Sequence, residues 1–375
     1  MTLDLSDEER LIAETARAFF TDKSPVRALR TLRDTKDPAG YSRDLWREMA
    51  ALGWAGFLVP ELWGGVGAGI FGLGLVLEEA GRTLAASPLL STALIGASAL
   101  SLAQREVPLR RVIAGECLVA LALEEGPHHA PYRIDTLAKR QGAGFRLDGE
   151  KRFVLDGHVA DLLLIAARTS GAREARAGIT LFLAPARQPG ITLTRTSMLD
   201  SRNAALVRLE GVVLDTQHII GEIDGGSDLL DPVLDRARVG VASEMLGAMS
   251  EAFERTLKYL KERVQFGVPI GSFQALKHRA AQMFAEIELT RSAVRAGLRA
   301  IDEGLAEAPA LASLAKAKAG EAMLLIANEA VQMHGGIGMT DEHEIGFFLK
   351  RARVAEASFG NTAFHRDRYA ALMGY

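Results

Sequence analysis

The sequence predicts an α+β chain of several domains, with helices first, strands in the middle and helices again at the end. Three observations carry this. Apolar residues recur at helical spacing through residues 1–115. Residues 116–222 break into short apolar or alternating runs separated by glycine. Helical spacing then returns and persists to the C-terminus. Helices and strands kept apart along the chain argue for separate layers rather than repeated βαβ units. The expected division is an N-terminal helical domain (1–115), a central β-domain (116–222) and a C-terminal helical domain (223–375), which 375 residues can support.

In the first segment, Ser6 and Glu9 form a capping box ahead of an amphipathic run through Leu11, Ile12, Ala16, Phe19 and Phe20. Asp44 to Leu52 supports a second, short helix. Gly53 to Gly69, rich in glycine and carrying Pro60, reads as loop, and Phe71–Ala80 and Ser87–Ala103 return to helix. In the middle segment, Leu118–Glu124 and Asp161–Ala167 are short apolar runs. Gly144–Gly157 alternates and holds two Asp-Gly turn signals. GITLFLA, GITLTRT and AALVRLEGVVL follow at short intervals. Strands at this spacing predict a small antiparallel barrel or sandwich with no helix of normal length. In the last segment Ser227–Arg263 is one long helix, interrupted after its end by Gly267 and Pro269. Phe273–Gly304 and Pro309–His334 are two more, and His343–Met373 is one or two further helices.

Composition excludes several function classes. A hydrophobic fraction of 48% with 24% charged residues is ordinary for a soluble globular chain. A net charge of −3 gives no electrostatic footprint for nucleic acid. The single cysteine, Cys117, cannot form an internal disulfide, and a reducing, cytoplasmic setting is expected. The opening MTLDLSDEER is acidic and polar, unlike a signal peptide, and no run of about eighteen apolar residues predicts a membrane span. Neither metal-ligand spacing nor a Ser/His/Asp arrangement is visible.

Two segments carry chemistry. In KERVQFGVPIGSFQALKH (261–278), Arg263 can offer a fixed fork of donors to a pyrophosphate. In QMHGGIGM (332–339), Gly335 and Gly336 let backbone approach a phosphate or ribityl chain. Together with GWAGFLVPELWGGVG and GEKRFVLDGHVADLLLIAA, these segments resemble those of the acyl-CoA dehydrogenase family, and the resemblance spans nearly the whole chain. It implies that family's fold, with a C-terminal four-helix bundle, and bound FAD. It implies that Arg263, Gln265, Phe266, Gln274, Gln332, Gly335, Gly336, Phe153 and Asn361 lie at the FAD, some reaching a neighbouring subunit's cofactor. Asp235 and Arg238 match positions that contact the CoA portion of an acyl-CoA substrate; otherwise they would belong to a solvated helix face. An oligomer, a homo- or heterotetramer with another acyl-CoA dehydrogenase subunit, and an electron acceptor such as electron-transfer flavoprotein are also implied.

One part of the pattern is missing. Taking hydride from the β-carbon of a thioester requires a base for the weakly acidic α-proton. The family places a glutamate at one of two positions, which match Phe359 and Ala237, and neither side chain can accept a proton. The Phe359 N–H remains able to donate to a thioester oxygen. The family's glycine-serine-aspartate stretch is replaced by Glu124–Asp135, and the threonine facing the flavin by Leu155. Glu244, two turns beyond Ala237, is displaced by roughly 10 Å along the helix and reads as structural. Glu342 reads as a cap, and His128 and His129 as surface residues. The chain therefore resembles the base-lacking, smaller subunit of bacterial heteromeric members. Alternatives are a self-sufficient homotetramer with an unusual base (Glu244 or Glu124), a flavin monooxygenase-like relative, and a flavin-binding chain without turnover.

Overall fold

The structure, a computed structural model, describes residues 4–375. The chain forms two compact units, one of residues 4–36, 70–85 and 238–375, the other of 37–69 and 86–237. The first helical segment is thus shared between them.

The first unit is helical. Helices α1 (Asp7–Lys23), α2 (Val26–Asp34) and, after α3 (Arg43–Ala51) in the other unit, α4 (Gly69–Arg82) come from the N-terminal segment. The predicted capping box is present: the Ser6 N–H donates to Glu9 at 2.9 Å and the Glu9 N–H to the Ser6 hydroxyl at 3.2 Å. Helix α4 is buried nearly all round, unlike an amphipathic surface helix. Its first turn is capped by the Asp302 carboxylate, which accepts from the Ile70 and Phe71 N–H groups at 2.8 and 2.9 Å. Buried Glu79 is matched by a two-pronged Arg17.

The backbone of α4 touches that of α7, a helix running from Gly226 to Glu262. A Cβ on Gly81 would sit 2.0 Å from the Glu244 carbonyl oxygen, and one on Gly247 1.7 Å from that of Glu78. A mid-helix Gly→Ala change ordinarily favours the helix by about 1 kcal/mol. Here the added methyl must push two backbones apart, and overpacking of that kind costs about 1–3 kcal/mol. Gly247→Ala is therefore expected to lower the melting temperature despite the better helix former, which a thermal unfolding comparison checks.

The second unit holds α3, a fully buried π-helix (Leu89–Gly96), α5 (Ala97–Leu102), α6 (Glu106–Ile113) and the sheet. Its strands are β1 (Val119–Ala122), β2 (Leu137–Gln141), β3 (Gly144–Leu155), β4 (Leu162–Arg168), β5 (Ile179–Pro185), β6 (Ile191–Ser197), β7 (Asn203–Leu214) and β8 (Ile219–Ile220). The spatial order is β6-β7-β3-β2-β4-β5-β8, with β1 also on β4. The expected antiparallel barrel is corrected on two counts. The sheet stays open, since β6 and β8 end the order unpaired with each other, and it is mixed, since β1 and β2 both run parallel to β4. The reason lies in the apolar runs: a strand covered on both faces is apolar throughout instead of alternating, and β1 and β4 are buried almost without interruption. The edge of β1 is closed by Thr92, whose hydroxyl donates to the Val119 carbonyl and accepts from its N–H at 3.2 and 3.1 Å. The sheet's core packs Phe145 edge-on to Phe182, with Leu147, Val154, Ile165 and Val207 around them.

Asp148–Gly149 makes no hairpin; it marks a register shift inside β3, and the Asp148 carboxylate accepts from the Gly211 N–H at 2.7 Å. A second shift, between Lys151 and Val154, bulges Arg152 and Phe153 out of the ladder. Beyond α7, a two-strand hairpin of β9 (Val264–Gln265) and β10 (Val268–Pro269) leads into α8 (Gln274–Asp302), α9 (Ala308–His334), α10 (Ile345–Ala357) and α11 (Thr362–Leu372). Among the described residues no helix is long and apolar enough to cross a membrane.

Candidate functional site

Three phenylalanines mark the expected positions in an unusual way. Among the described residues, nine other than glycine have left-handed backbone, including Phe153 (φ 53°), Phe266 (φ 54°) and Phe359 (φ 55°). A bulky residue rarely adopts this region, which costs of order 1–3 kcal/mol and concentrates at binding and catalytic sites. All three lie in segments that the sequence singles out.

Phe266 and Gly267 are the two turn residues of the β9–β10 hairpin, whose register pairs Gln265 with Val268. Both have positive φ, as a two-residue I′ turn demands. The turn presents the Phe266 ring to solvent, 91% exposed, with Phe273 edge-on at 6.2 Å. Arg263, Gln265 and Gln274 are exposed around it. An arginine fork, an amide and a protruding ring thus stand together at an exposed surface, not in a buried core.

Gln332, Gly335 and Gly336 close α9 on the same unit and are exposed. Gly335 takes φ 64°, and a Cβ on either glycine would meet nothing within 4 Å, so the turn has open space beside it. Its stem is rigid. His334 stacks on Tyr259 at 4.5 Å and lies 4.6 Å from His343, ring centre to ring centre. The His334 Nδ1–H donates to the Ala330 carbonyl at 2.6 Å. Burial pushes both imidazoles below their usual range; His343 adds to this at His334, and Arg255 at His343. The cap expected from Glu342 is corrected: His343 caps α10, its Nδ1 accepting the Ile345 N–H at 3.2 Å, while only the backbone carbonyl of Glu342 is engaged, by Arg30.

Phe359 lies between α10 and α11 and is half-buried. Its carbonyl accepts from His365 Nε2 at 3.0 Å. The carbonyls of Glu356 and Gly360 accept from Lys316 Nζ at 2.9 and 2.8 Å. Lys316, on α9, is fully buried. Burial pushes its ammonium down to about 7, with Glu356 pulling it up and Arg238 pushing it further down. Protonated or neutral, it keeps the two donors that two carbonyls need. Asn361 caps α11, its amide oxygen accepting the Phe364 N–H at 2.9 Å. Arg238 is buried over the Phe364 ring. Glu244 is buried with Arg351 at 2.9 Å, consistent with a structural role.

In the second unit, Phe153 stands on the β3 bulge, 43% exposed, and Ala237 is fully buried. Asp235 is buried as well, so neither it nor Arg238 occupies a solvated helix face. The replaced loop also differs from expectation. His128 is exposed, but the His129 ring is buried against the Glu124 carboxylate. The chain turns inward there because Glu125 pairs with buried Lys151 at 2.7 Å and accepts the Thr136 N–H at 2.9 Å. Burial alone would raise the Glu125 carboxyl; Lys151 and Thr136 hold it below its usual range.

Sequence reasoning passed over Lys316, His365 and the Glu125–Lys151 pair. A signal for Lys316 exists: it interrupts the small-residue stripe Ala312, Ala315, Ala319, Ala322, where a charge must have a partner. In the first unit the hairpin is exposed and the double-glycine turn has open space beside it; in the second the Phe153 ring protrudes. Among the described residues no cluster suits a metal ion.

Family models for the acyl-CoA dehydrogenase N-terminal, middle and C-terminal domains match residues 6–116, 124–211 and 224–374. The chain is 30% identical to acyl-CoA dehydrogenase IpdE2 of Mycolicibacterium smegmatis, covering 95% of this chain and 96% of that protein. It is 30% identical to cyclohex-1-ene-1-carbonyl-CoA dehydrogenase of Geobacter metallireducens, covering 96% and 97%. Among solved structures it is similar to the Tcur3481-Tcur3483 steroid ACAD, G363A variant, with a TM-score of 0.88, 31% identity and coverage of 99% and 98%.

Proposed function

The chain belongs to the acyl-CoA dehydrogenase family, and we propose that within it this protein is the subunit of a heteromeric, FAD-dependent enzyme that lacks the catalytic glutamate. The observation that supports this is an exposed Arg263–Gln265 hairpin and an open double-glycine turn in a chain whose two expected base positions hold Phe359 and Ala237. Arg263 and Gln265 on the projecting hairpin would hold pyrophosphate and ring edge, and the Gly335–Gly336 turn would admit the ribityl and phosphate groups. Bound FAD supplies the acceptor for the β-hydride. The Phe359 N–H donates to the thioester oxygen and needs no particular side chain for it.

What the chain's own residues do not do is take the α-proton. The left-handed turn that would aim a carboxylate carries a phenyl ring, and the other position is a buried methyl. A base is worth about 10²–10⁴ in rate, so a partner acyl-CoA dehydrogenase subunit must bring one. Support for such a partner comes from the exposed Phe266 hairpin and from the similar steroid enzyme, whose name joins two chains. Steroid-like or other bulky acyl-CoA esters are the substrate class this favours, with an electron-transfer flavoprotein as acceptor. The buried free thiol of Cys117 suits the cytoplasm.

Co-purification with the product of a neighbouring acyl-CoA dehydrogenase gene tests this reading. The pair should show a flavin spectrum, the mass of a tetramer, and desaturation of a bulky acyl-CoA at least about 100-fold faster than this chain alone. A lone chain that matches the pair's rate would refute it.

A further inference from the structure

We propose that Lys316 and His365 are positioning residues, a two-point clamp on the α10–α11 turn that fixes the direction in which its backbone donors face the oxygen of a bound acyl thioester. This rests on the reading above, in which the turn meets the thioester.

Three carbonyls within five residues, those of Glu356, Phe359 and Gly360, are turned onto two side chains from different helices: Lys316 on α9 and His365 on α11. A trans peptide is planar, so fixing a carbonyl oxygen fixes the following N–H on the opposite side. His365, by holding the Phe359 oxygen, sets the Gly360 N–H. Lys316, by holding the Gly360 oxygen, sets the Asn361 N–H. The Phe359 N–H belongs to the peptide unit just before that fixed one, and follows Ser358, whose own N–H is tied to the Val354 carbonyl at 3.1 Å. Among the described residues, none of the N–H groups of Phe359, Gly360 and Asn361 donates to a protein acceptor.

The clamp has no slack. Gly360 has φ 106°, and a Cβ there would lie 2.5 Å from the Phe364 ring and 2.8 Å from His365 Nε2. His365 is itself fully buried, and Ser313 is buried beside it, bonded at 2.7 Å to Arg368. A left-handed phenylalanine persists only where its surroundings over-determine it, and here those surroundings are two donors. The clamp acts on the main chain alone. It therefore works whether position 359 carries a carboxylate or, as here, a ring.

The test uses the full chain reconstituted with FAD and acetoacetyl-CoA carrying ¹³C at the thioester carbonyl. Infrared difference spectra report the carbonyl stretch, which donors lower, and calorimetry reports affinity. The wild type is expected to lower the stretch. His365→Leu and Lys316→Met should lose most of that shift while the dissociation constant changes far less. His365→Gln, whose amide nitrogen falls where Nε2 was, should keep it. Should Lys316→Met fail to fold, the Leu and Gln variants at 365 decide alone. Folded His365→Leu protein with the full shift overturns the clamp. A wild-type chain that binds the probe with no shift, or does not bind it, overturns the placement of the turn at the thioester, and the clamp with it.

Discussion

Phe359→Glu is expected to raise acyl-CoA desaturation by the flavin-loaded chain by roughly 10²–10⁴-fold, the contribution of a positioned general base. The substitution asks little of the fold. The backbone at 359 is already left-handed, its carbonyl is already held by His365, and the ring it replaces is only half-buried. Arg238, buried over the Phe364 ring of α11, is a permanent cation, and Lys316 under the turn adds a positive charge only below about pH 7. A nearby cation favours an ionised carboxylate, which is the form that accepts a proton. Phe359→Gln has the same shape without the basicity and is the control. Bleaching of the flavin by acyl-CoA in a single turnover measures both. Equal rates for the Glu and Gln variants would mean that position 359 does not face the α-carbon.

Glu125→Ala should cost about 3–5 kcal/mol, the loss seen when one member of a buried ion pair is removed and the other left uncompensated. Lys151 is fully buried, its Nζ held by Glu125 at 2.7 Å and the Leu123 carbonyl at 3.2 Å. The double change Glu125→Leu with Lys151→Met removes both charges and should be far milder, since buried pairs replaced by apolar groups are often near neutral. Denaturant unfolding of the three proteins reads this directly, and a double change as severe as the single one would refute it. The sign with pH follows from the lowered Glu125 carboxyl. Its stabilisation is present above the usual carboxylate range and is lost as pH falls through its folded value, so wild type and Glu125→Ala should converge in acid.

Much of this was legible in the sequence, and the limits are physical. The Ser6–Glu9 capping box and the breaks at Gly267 and Pro269 were readable because caps and breakers act locally. The open, mixed sheet was not. An apolar run such as VALA says that both faces are covered but not which strand lies beside it. The left-handed backbone of three phenylalanines was invisible as well, since only glycine and asparagine advertise that region. The segment pattern assigned Arg263, Gln332 and the double glycine to the cofactor, and the structure leaves all four exposed. It missed Lys316 and His365 because a buried donor is chosen by carbonyls forty or so residues away or across a turn, which no local rule reports.

The division of the first helical segment between two units has a consequence for synthesis. Helix α4, apolar on nearly every side, leaves the ribosome long before the helix it packs against. Arg82 and its ion-pair partner Glu251 are 169 residues apart. At translation rates of ~5–20 residues per second the wait is roughly 10–30 s. For that interval the nascent chain carries a naked greasy segment that a chaperone would have to shield.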